Sequence, residues 1–598
     1  MEPASMTSGA KVGGLELDEG IESLARKQAE WRRKSPREKA GVARTVLASL
    51  ESLSWSDAKW NGTPWAEGQL VLEGYDAKAN CRDSHAKAHA ASQKMIFGLV
   101  IKRYLQKVIK ELSEGGSGSE RPAKKVGAYD VFPCDALTVP KVAGEAWCLP
   151  SSGSPEGRKT APEGVCLVLG AGNQNFLSMI DVLDRLFMHD QVVILKHHPL
   201  RPFLFAPYAS ILRPLTDAGL VHQVQDQGVE FSQMICGHSL VDHIHVTGSG
   251  ATHDAICKTL ERAGRQSDVE ITCELGCVTP WIVSNGSWTK KEIAFQSKTL
   301  AFSKKFGGGA NCLSPQVLIV DNDWPQLGSF LDSLKGSLRS LPTPPAYYPG
   351  ASKRLDALCS QYADSQVESV AGTPHPSTLS TSGTSTKPLL SVQLLDCGLH
   401  GDDGFNDAAL KTEAFAPVLS IVRVKAGNDT RRFLRQAVNI ANEECEGSLS
   451  CSVSCPGAVA EGSSFNDVLA DLKFGSVGVN CSTTFGYVAT TAGGGWGAYP
   501  GLYSKDDCGS GNGYIGNIGN RLGYAKTVVK SPSVNSFADI SQVPPALISE
   551  ILCSCFLSSG TLQGAGRAFS VLVKALVKAF AGLFSSSNAS RGGYKRIE

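Results

Sequence analysis

Residues 163–173, EGVCLVLGAGN, decide the fold: a wholly apolar run over 165–169 closes on a glycine-rich turn. An apolar run with no polar alternation suits a strand buried on both faces, as in a parallel sheet. DQVVILKHHP (190–199) repeats the pattern, and the residues between the two runs have helical spacing. GLVHQVQ (219–225) and DHIHVTGS (242–249) continue it, with a helix-like stretch, FSQMICGHSL (231–240), between them. This alternation predicts an open parallel sheet with helices on both faces, a doubly wound Rossmann-type α/β unit.

Working outward, a second α/β region runs from about 290 to 478, with strands expected at PQVLIVD (315–321), SVQLLD (391–396), VLSIVRV (418–424) and VGVNC (477–481). The Ser/Thr/Pro-rich stretch 367–387 reads as an exposed insertion, and the glycine-rich stretch 483–525 as ordered loop. Upstream, 18–53 and 84–113 carry apolar positions at helical spacing among many charges and read as surface helices. The tail 543–598 contains AFSVLVKALVKAFAGLF (568–584), with Lys574, Lys578 and Arg567 near one helical face. Two readings of it stand open. The helix docks on the protein or closes a channel, or it lies in a membrane surface through 563–584, with Cys553 and Cys555 as acylation candidates. It is too short and too charged to span a bilayer, which takes about 20 apolar residues.

Composition limits the function classes. Among 598 residues, 58 Lys+Arg balance 57 Asp+Glu to a net charge of +1, so no global field favours a nucleic acid, and a small neutral substrate fits better. The 18 cysteines lack dense regular spacing and read as reduced thiols. The opening MEPASMTSGAKVGGLELDEG has no apolar signal segment, so a cytoplasmic location is expected.

Single motifs are weak here. GAGNQN (170–175) begins like the dinucleotide fingerprint but has Asn175 at the third glycine, and neither a phosphate loop nor a GxSxG elbow occurs. CSVSC (451–455) and CELGC (273–277) alone make no zinc site, so no metal is expected. The order of the motifs is stronger than any one of them. GVCLVLGAGN, VVILKHHP, HVTGSGATHDAI, CELGCVTPWIV, GGANCLSPQVLIV, TEAFAPVLSIV and FGSVGVN follow one another from 164 to 480. In this order and spacing the chain resembles the aldehyde dehydrogenase superfamily, and in particular a branch carrying LGAGN, TGS-x-x-THDAI, ELG-x-V-x-P and YYPGA, here at 169–173, 247–256, 274–280 and 347–351.

The resemblance implies a Rossmann-type cofactor domain with the N-terminal helices (18–285, with a bridging segment near 125–160) and a second α/β catalytic domain (286–482). A glycine-rich return segment with a small oligomerisation element (483–542) and the tail (543–598) complete the division. It implies oxidation of an aldehyde with NAD or NADP as cofactor. An aldehyde releases a hydride readily only from a tetrahedral adduct, and a thiolate forms one. Cys312, after the glycine-rich approach GGGANC, takes that role; without this context, one thiol among 18 reads as a small buried apolar group. Glu274 takes the general base, its apolar flanks suggesting burial and a raised pKa. Its distance to Cys312 (312−274 = 38 positions) exceeds the usual family spacing, which places a modified loop near KKFGGG.

For the oxyanion donor, Asn173 and Asn175 compete, and the 23 positions from Asn173 to Lys196 (196−173) favour Asn173. Gly172, where an aromatic is usual, is expected to widen the pocket. By resemblance Lys196 contacts the adenine ribose, and Thr247, Gly248 and Ser249 the pyrophosphate. Glu413 holds the nicotinamide ribose and Phe415 packs beside the ring. No acid follows Lys196 directly, which leaves NAD and NADP both open, and His253 is expected to alter the pyrophosphate contacts. The resemblance also implies a homodimer or homotetramer. The alternatives are acyl transfer to coenzyme A instead of water, which intact Glu274 argues against, and a non-catalytic membrane-associated scaffold.

Overall fold

A computed structural model describes residues 14–53, 65–73, 84–115, 121–150 (without 136 and 138–140), 164–372 and 387–539 (without 463, 505–506 and 537–538), and Leu557. The tail helix with its two cysteines, and most of the Ser/Thr/Pro-rich stretch, lie outside the described residues.

The expected parallel unit is a five-stranded sheet ordered 221–224, 193–196, 165–169, 241–247, 270–274, every neighbouring pair parallel. Val165, Cys166, Leu167 and Val168 are fully buried, as a run without alternation requires. Helices Leu177–His189, Phe205–Asp217, Val229–Cys236 and Gly250–Arg262 connect the strands. The strand order reverses direction at 165–169, so the ends of 165–169 and 241–247 open the crevice where such sheets bind ligands.

The second region builds an eleven-stranded mixed sheet. Its centre is parallel, in the order 524–530, 476–479, 450–454, 279–283, 315–321, 418–424, 392–399. Antiparallel strands close both edges: 124–126, 129–133 and 143–148 on one side, 367–370 on the other. Three features differ from the sequence reading. VESV (367–370) is an edge strand rather than part of an insertion, because the Ser/Thr/Pro bias begins only after it. CELGCVTPWIV contains the end of one strand and the whole of another, which belong to different sheets. The glycine-rich stretch holds a helix at Thr484–Val488 and a strand pair, Gly495–Gly497 with Tyr514–Gly516, and the chain then enters the large sheet at Tyr524–Lys530. Glycine-rich composition obscures these strands because backbone pairing, not side-chain pattern, holds them.

The N-terminal helix Gly14–Arg33 packs on strands of the smaller sheet, and Pro36–Ser52 and Ser84–Glu114 pack on its helices. Pro36 at the first turn and a reciprocal Ser35–Glu38 capping box start the second of the three. Trp31 donates its indole N–H to the Leu186 carbonyl at 2.9 Å, and buried Asp184 accepts from the Tyr104 hydroxyl (2.6 Å) and the Gly516 N–H (3.0 Å). Asp184, on helix Leu177–His189 of the smaller sheet's unit, thereby joins an N-terminal helix and the glycine-rich return segment.

The return strand is held by a buried cation. Lys526 donates to the carbonyls of Leu469 (2.6 Å), Ala470 (3.0 Å) and Leu472 (2.7 Å), at the end of helix Phe465–Asp471, where such carbonyls lack intrahelical partners. Its ammonium also lies 4.5 Å from the Tyr129 ring centroid and 5.3 Å from that of Trp147. Lys526→Met should leave three carbonyls without their donor and cost about 2–4 kcal/mol. A lowered midpoint of thermal or urea unfolding with retained far-UV circular dichroism checks this; an unchanged midpoint would remove Lys526 from the account.

Candidate active site

One cavity of about 860 Å³ runs from the strand ends of the smaller sheet to the segments that lead into the central strands 315–321 and 418–424 of the larger one. Glu274 is the last residue of strand Glu270–Glu274, in register with Thr247 on the neighbouring strand. It is 6% exposed, and the Trp496 indole N–H donates to its Oε1 at 2.8 Å. The segment 510–513 lies along the outer edge of this strand: the Cys273 N–H donates to Asn512 Oδ1 (2.9 Å) and the Leu275 N–H to the Ser510 carbonyl (3.0 Å). Gly511 must be glycine there, since its φ is +100° and a Cβ would sit 2.0 Å from the Cys273 carbonyl oxygen. So enclosed, the Glu274 carboxyl is pushed up to about 7 by burial, with the Asp181 charge adding to the rise. The Trp496 N–H and the Cys312 thiol pull the other way.

Cys312 reaches the cavity from the other sheet. Helix Lys290–Lys305 ends in a tight turn, Phe306–Gly309, and the chain then passes Cys312 into strand Pro315–Asp321. Gly307, Gly308 and Gly309 all take left-handed φ values, +61°, +66° and +79°. They fall in the stretch near KKFGGG where the sequence reading expects a modified loop. The Cys312 carbonyl accepts from Thr279 Oγ1 at 3.0 Å, which anchors the loop to strand Thr279–Val283. The half-buried thiol lies 3.8 Å from Glu274 Oε1 and 3.7 Å from Asn311 Oδ1. Burial and the charges of Glu274 and Glu413 hold it well above the ordinary thiol range, so it is a thiol at neutral pH until a base takes its proton.

Asn173 also lines the cavity, and its amide has no hydrogen bond among the described residues. Its carbonyl accepts from the Tyr347 hydroxyl at 3.0 Å, which explains one residue of YYPGA. Asn175 does not line the cavity; its Oδ1 accepts from Arg201, whose Nε donates to the Gly172 carbonyl at 2.8 Å. Gly172 does not widen the pocket as the sequence suggests. A Cβ there would lie 2.5 Å from His198 Cε1, because the imidazole from the adjacent strand end already fills the space.

At the far end, Lys196 closes strand Val193–Lys196 and forms an ion pair with Asp226. Thr247, Gly248 and Ser249 lead into helix Gly250–Arg262, with Ser249 as N-cap accepting from the Thr252 N–H. Thr247 Oγ1 is buried without a hydrogen-bond partner among the described residues, a polar atom placed for a ligand beside a helix N-terminus. His253 points away from the cavity: it is 2% exposed and sits against Tyr503, with Nε2 3.3 Å from the hydroxyl. The first-turn residues facing the cavity are Ala251 and Thr252, so the expected change at the pyrophosphate does not arise from His253.

Glu413 and Phe415 line the opposite wall. The Cys277 N–H donates to Glu413 Oε1 at 3.2 Å, and burial raises its carboxyl to about 7 against the pull of that N–H, Arg354 and Lys304. Phe415 takes φ +43° and meets the Tyr348 ring edge-on at 4.9 Å. Arg354 holds this turn by donating to the carbonyls of Ala414 (2.9 Å) and Phe415 (3.2 Å). Trp496, Arg354, Asp226 and His198 were not among the sequence candidates. Trp496 stands 222 positions from its partner, and only the indole in a glycine run hinted at a packed role.

With this geometry in view, the comparisons are concordant. The model of the aldehyde dehydrogenase family matches residues 128–498, more than half of the chain. The chain belongs to the aldehyde dehydrogenase family. As a member it is an NAD(P)-dependent oxidoreductase acting on aldehydes. No curated protein matches it significantly. Among solved structures, a cysteine-to-alanine mutant of aldehyde dehydrogenase C from Pseudomonas syringae, with NAD+ and octanal, is 16% identical at TM-score 0.55, covering 86% of this chain and 88% of its own. An NADP-dependent enzyme of E. coli is 14% identical at TM-score 0.56 (86% and 90% covered), and an NADP-dependent glyceraldehyde-3-phosphate dehydrogenase from Bacillus halodurans, with NADP, 15% at 0.54 (86% and 90%). At such identities the likeness is one of fold. Among the described residues of this aldehyde dehydrogenase, no group of three or more His, Cys, Asp or Glu could hold a metal, and no helix is long and apolar enough to cross a membrane.

The thiol's placement depends on Gly309, where a Cβ would lie 2.5 Å from the backbone of Ala416. Backbone cannot step aside as a side-chain end can. Gly309→Ala should cost about 2 kcal/mol or more and displace the Cys312 loop. Thermal unfolding together with the rate of Cys312 alkylation checks this; unchanged values in both would refute the steric account.

Proposed function

We propose that this aldehyde dehydrogenase converts its aldehyde to the carboxylic acid through a thioacyl-enzyme on Cys312, with water as acyl acceptor. The observation that carries the proposal is the meeting of a thiol and a buried carboxylate, Cys312 Sγ and Glu274 Oε1 at 3.8 Å, at the base of a cavity that Asn173 also lines. Glu274 takes the thiol proton, and the thiolate adds to the aldehyde carbon. The Asn173 amide and the Cys312 N–H supply the two donors for the oxyanion. Bound NAD(P)+ supplies the hydride acceptor; Glu413, the Thr247–Ser249 turn, Lys196 and Phe415 are the residues that would hold it, and the unpartnered Thr247 Oγ1 supports that fit. Glu274 releases the thiol proton to solvent and, as the carboxylate again, accepts a proton from the water that attacks the thioester. A carboxyl near pKa 7 is matched to this work, since it is partly ionised at neutral pH and basic enough to accept a proton. This base also supports water over coenzyme A as acceptor. A homodimer or homotetramer in the cytoplasm belongs to the same reading, and sedimentation tests the oligomer.

Cys312→Ala should abolish aldehyde-dependent reduction of NAD(P)+ while dinucleotide binding survives; residual turnover near wild type would reject the assignment. Glu274→Gln should slow both thiol deprotonation and deacylation, so turnover falls and any thioacyl-enzyme that forms persists as an added acyl mass on Cys312. Product analysis with and without coenzyme A separates the acceptors, and no activity on any aldehyde of a chain-length series would favour a scaffold.

The pH dependence has a definite sign. Glu274 acts as the carboxylate, so deacylation-limited kcat should rise as pH passes about 7. Trp496→Phe removes a donor that favours the ionised form, so the rising limb should move to higher pH by ~1 unit. A pH profile of kcat that stays in place would exclude this role for Trp496.

A further inference from the structure

Away from Cys312 the cavity extends to the C-terminal ends of strands Val193–Lys196 and Val221–Val224, where Lys196 and Asp226 both line it. The two side chains are 9% and 20% exposed and form an ion pair. In parallel sheets of this kind a carboxylate at a strand end binds the free hydroxyls of a nucleotide ribose, whereas a 2′-phosphate calls for an unengaged cation. We infer that Asp226 is the residue that selects NAD+ over NADP+. The inference rests on the reading that this cavity holds a nicotinamide dinucleotide.

Charge decides the direction. Lys196 is the only lysine or arginine lining this end of the cavity among the described residues, and Asp226 already neutralises it. The other cation of the cavity wall, Arg354, holds the Ala414–Phe415 turn at the opposite end. Arg201 is 2% exposed and bound to Gly172 (2.8 Å), Gln69 (2.8 Å) and Asn175, and it does not line the cavity. His197 and His198 add no charge, since burial brings each down to about 4 and leaves both neutral at pH 7. A 2′-phosphate entering here would meet the Asp226 carboxylate and would have to compete with it for Lys196. The acid missing directly after Lys196 in the sequence is thus supplied 30 positions later (226−196), from the end of the adjacent strand.

The test is direct binding of NAD+ and of NADP+ to the full chain, by calorimetry or tryptophan fluorescence, for wild type, Asp226→Asn and Asp226→Ser. Wild type should bind NAD+ about tenfold or more tightly than NADP+, and each variant should shift the ratio of Kd values at least about tenfold toward NADP+, chiefly through tighter NADP+ binding. Circular dichroism establishes that the variants are folded. A wild type that binds NADP+ as tightly as NAD+, or a folded variant with an unchanged ratio, overturns the role of Asp226. If neither dinucleotide binds wild type, the cofactor reading falls and the inference falls with it. If neither variant folds, the wild-type ratio decides.

Discussion

The rest of the site depends on a short crossing between two sheets. Strand Glu270–Glu274 ends the smaller sheet, and Thr279–Val283 begins at the centre of the larger one after only residues 275–278. A link of that length admits little slack, so the carboxylate at one strand end must sit beside the start of the larger sheet's central strands. Cys312 enters the same space because its carbonyl is tied to Thr279, the first residue after the crossing. The 3.8 Å approach of thiol and carboxylate is therefore a consequence of backbone connectivity, with the glycines of 307–309 giving the loop room to make it.

The same enclosure sets the chemistry. Burial raises Glu274 and Glu413 to about 7, lowers Lys304 to about 7 and holds the Cys312 thiol protonated. Glu274, Glu413 and Lys304, which in water would each be firmly in one state, are brought close to titration at neutral pH, whereas the Cys312 thiol is moved further from it. The return segment is part of this enclosure: Trp496, Ser510 and Gly511 cover the Glu274 strand, Asp184 holds Gly516 to helix Leu177–His189, and Lys526 ties the return strand to the end of helix Phe465–Asp471.

Much of this was legible in the chain. The parallel strands read clearly because strands buried on both faces are continuous apolar runs, as at 165–169 and 317–320. Edge strands such as 124–126 and 367–370 are short and half exposed, and their composition resembles that of loops. Among the candidate residues, the cavity brings together Asn173, Lys196, Glu274, Cys312, Glu413 and Phe415, and it leaves out Asn175 and His253. The choice between two asparagines two positions apart needed the backbone turn that directs one inward and gives the other to Arg201.

By itself, the sequence determined the doubly wound architecture, the family and the order of the chemical groups, because hydrophobic periodicity and motif spacing are local properties written along the chain. Only the tertiary structure decided the partners that arrive from a distance: Trp496 on Glu274, His198 in the space at Gly172, Arg354 under Phe415 and Asp226 on Lys196. Such contacts depend on where strand ends meet after the sheets have formed, and no spacing within the chain encodes them. Cys312 shows both halves. Its identity is read from its ordered neighbours, while its raised pKa and its base come from burial across two sheets.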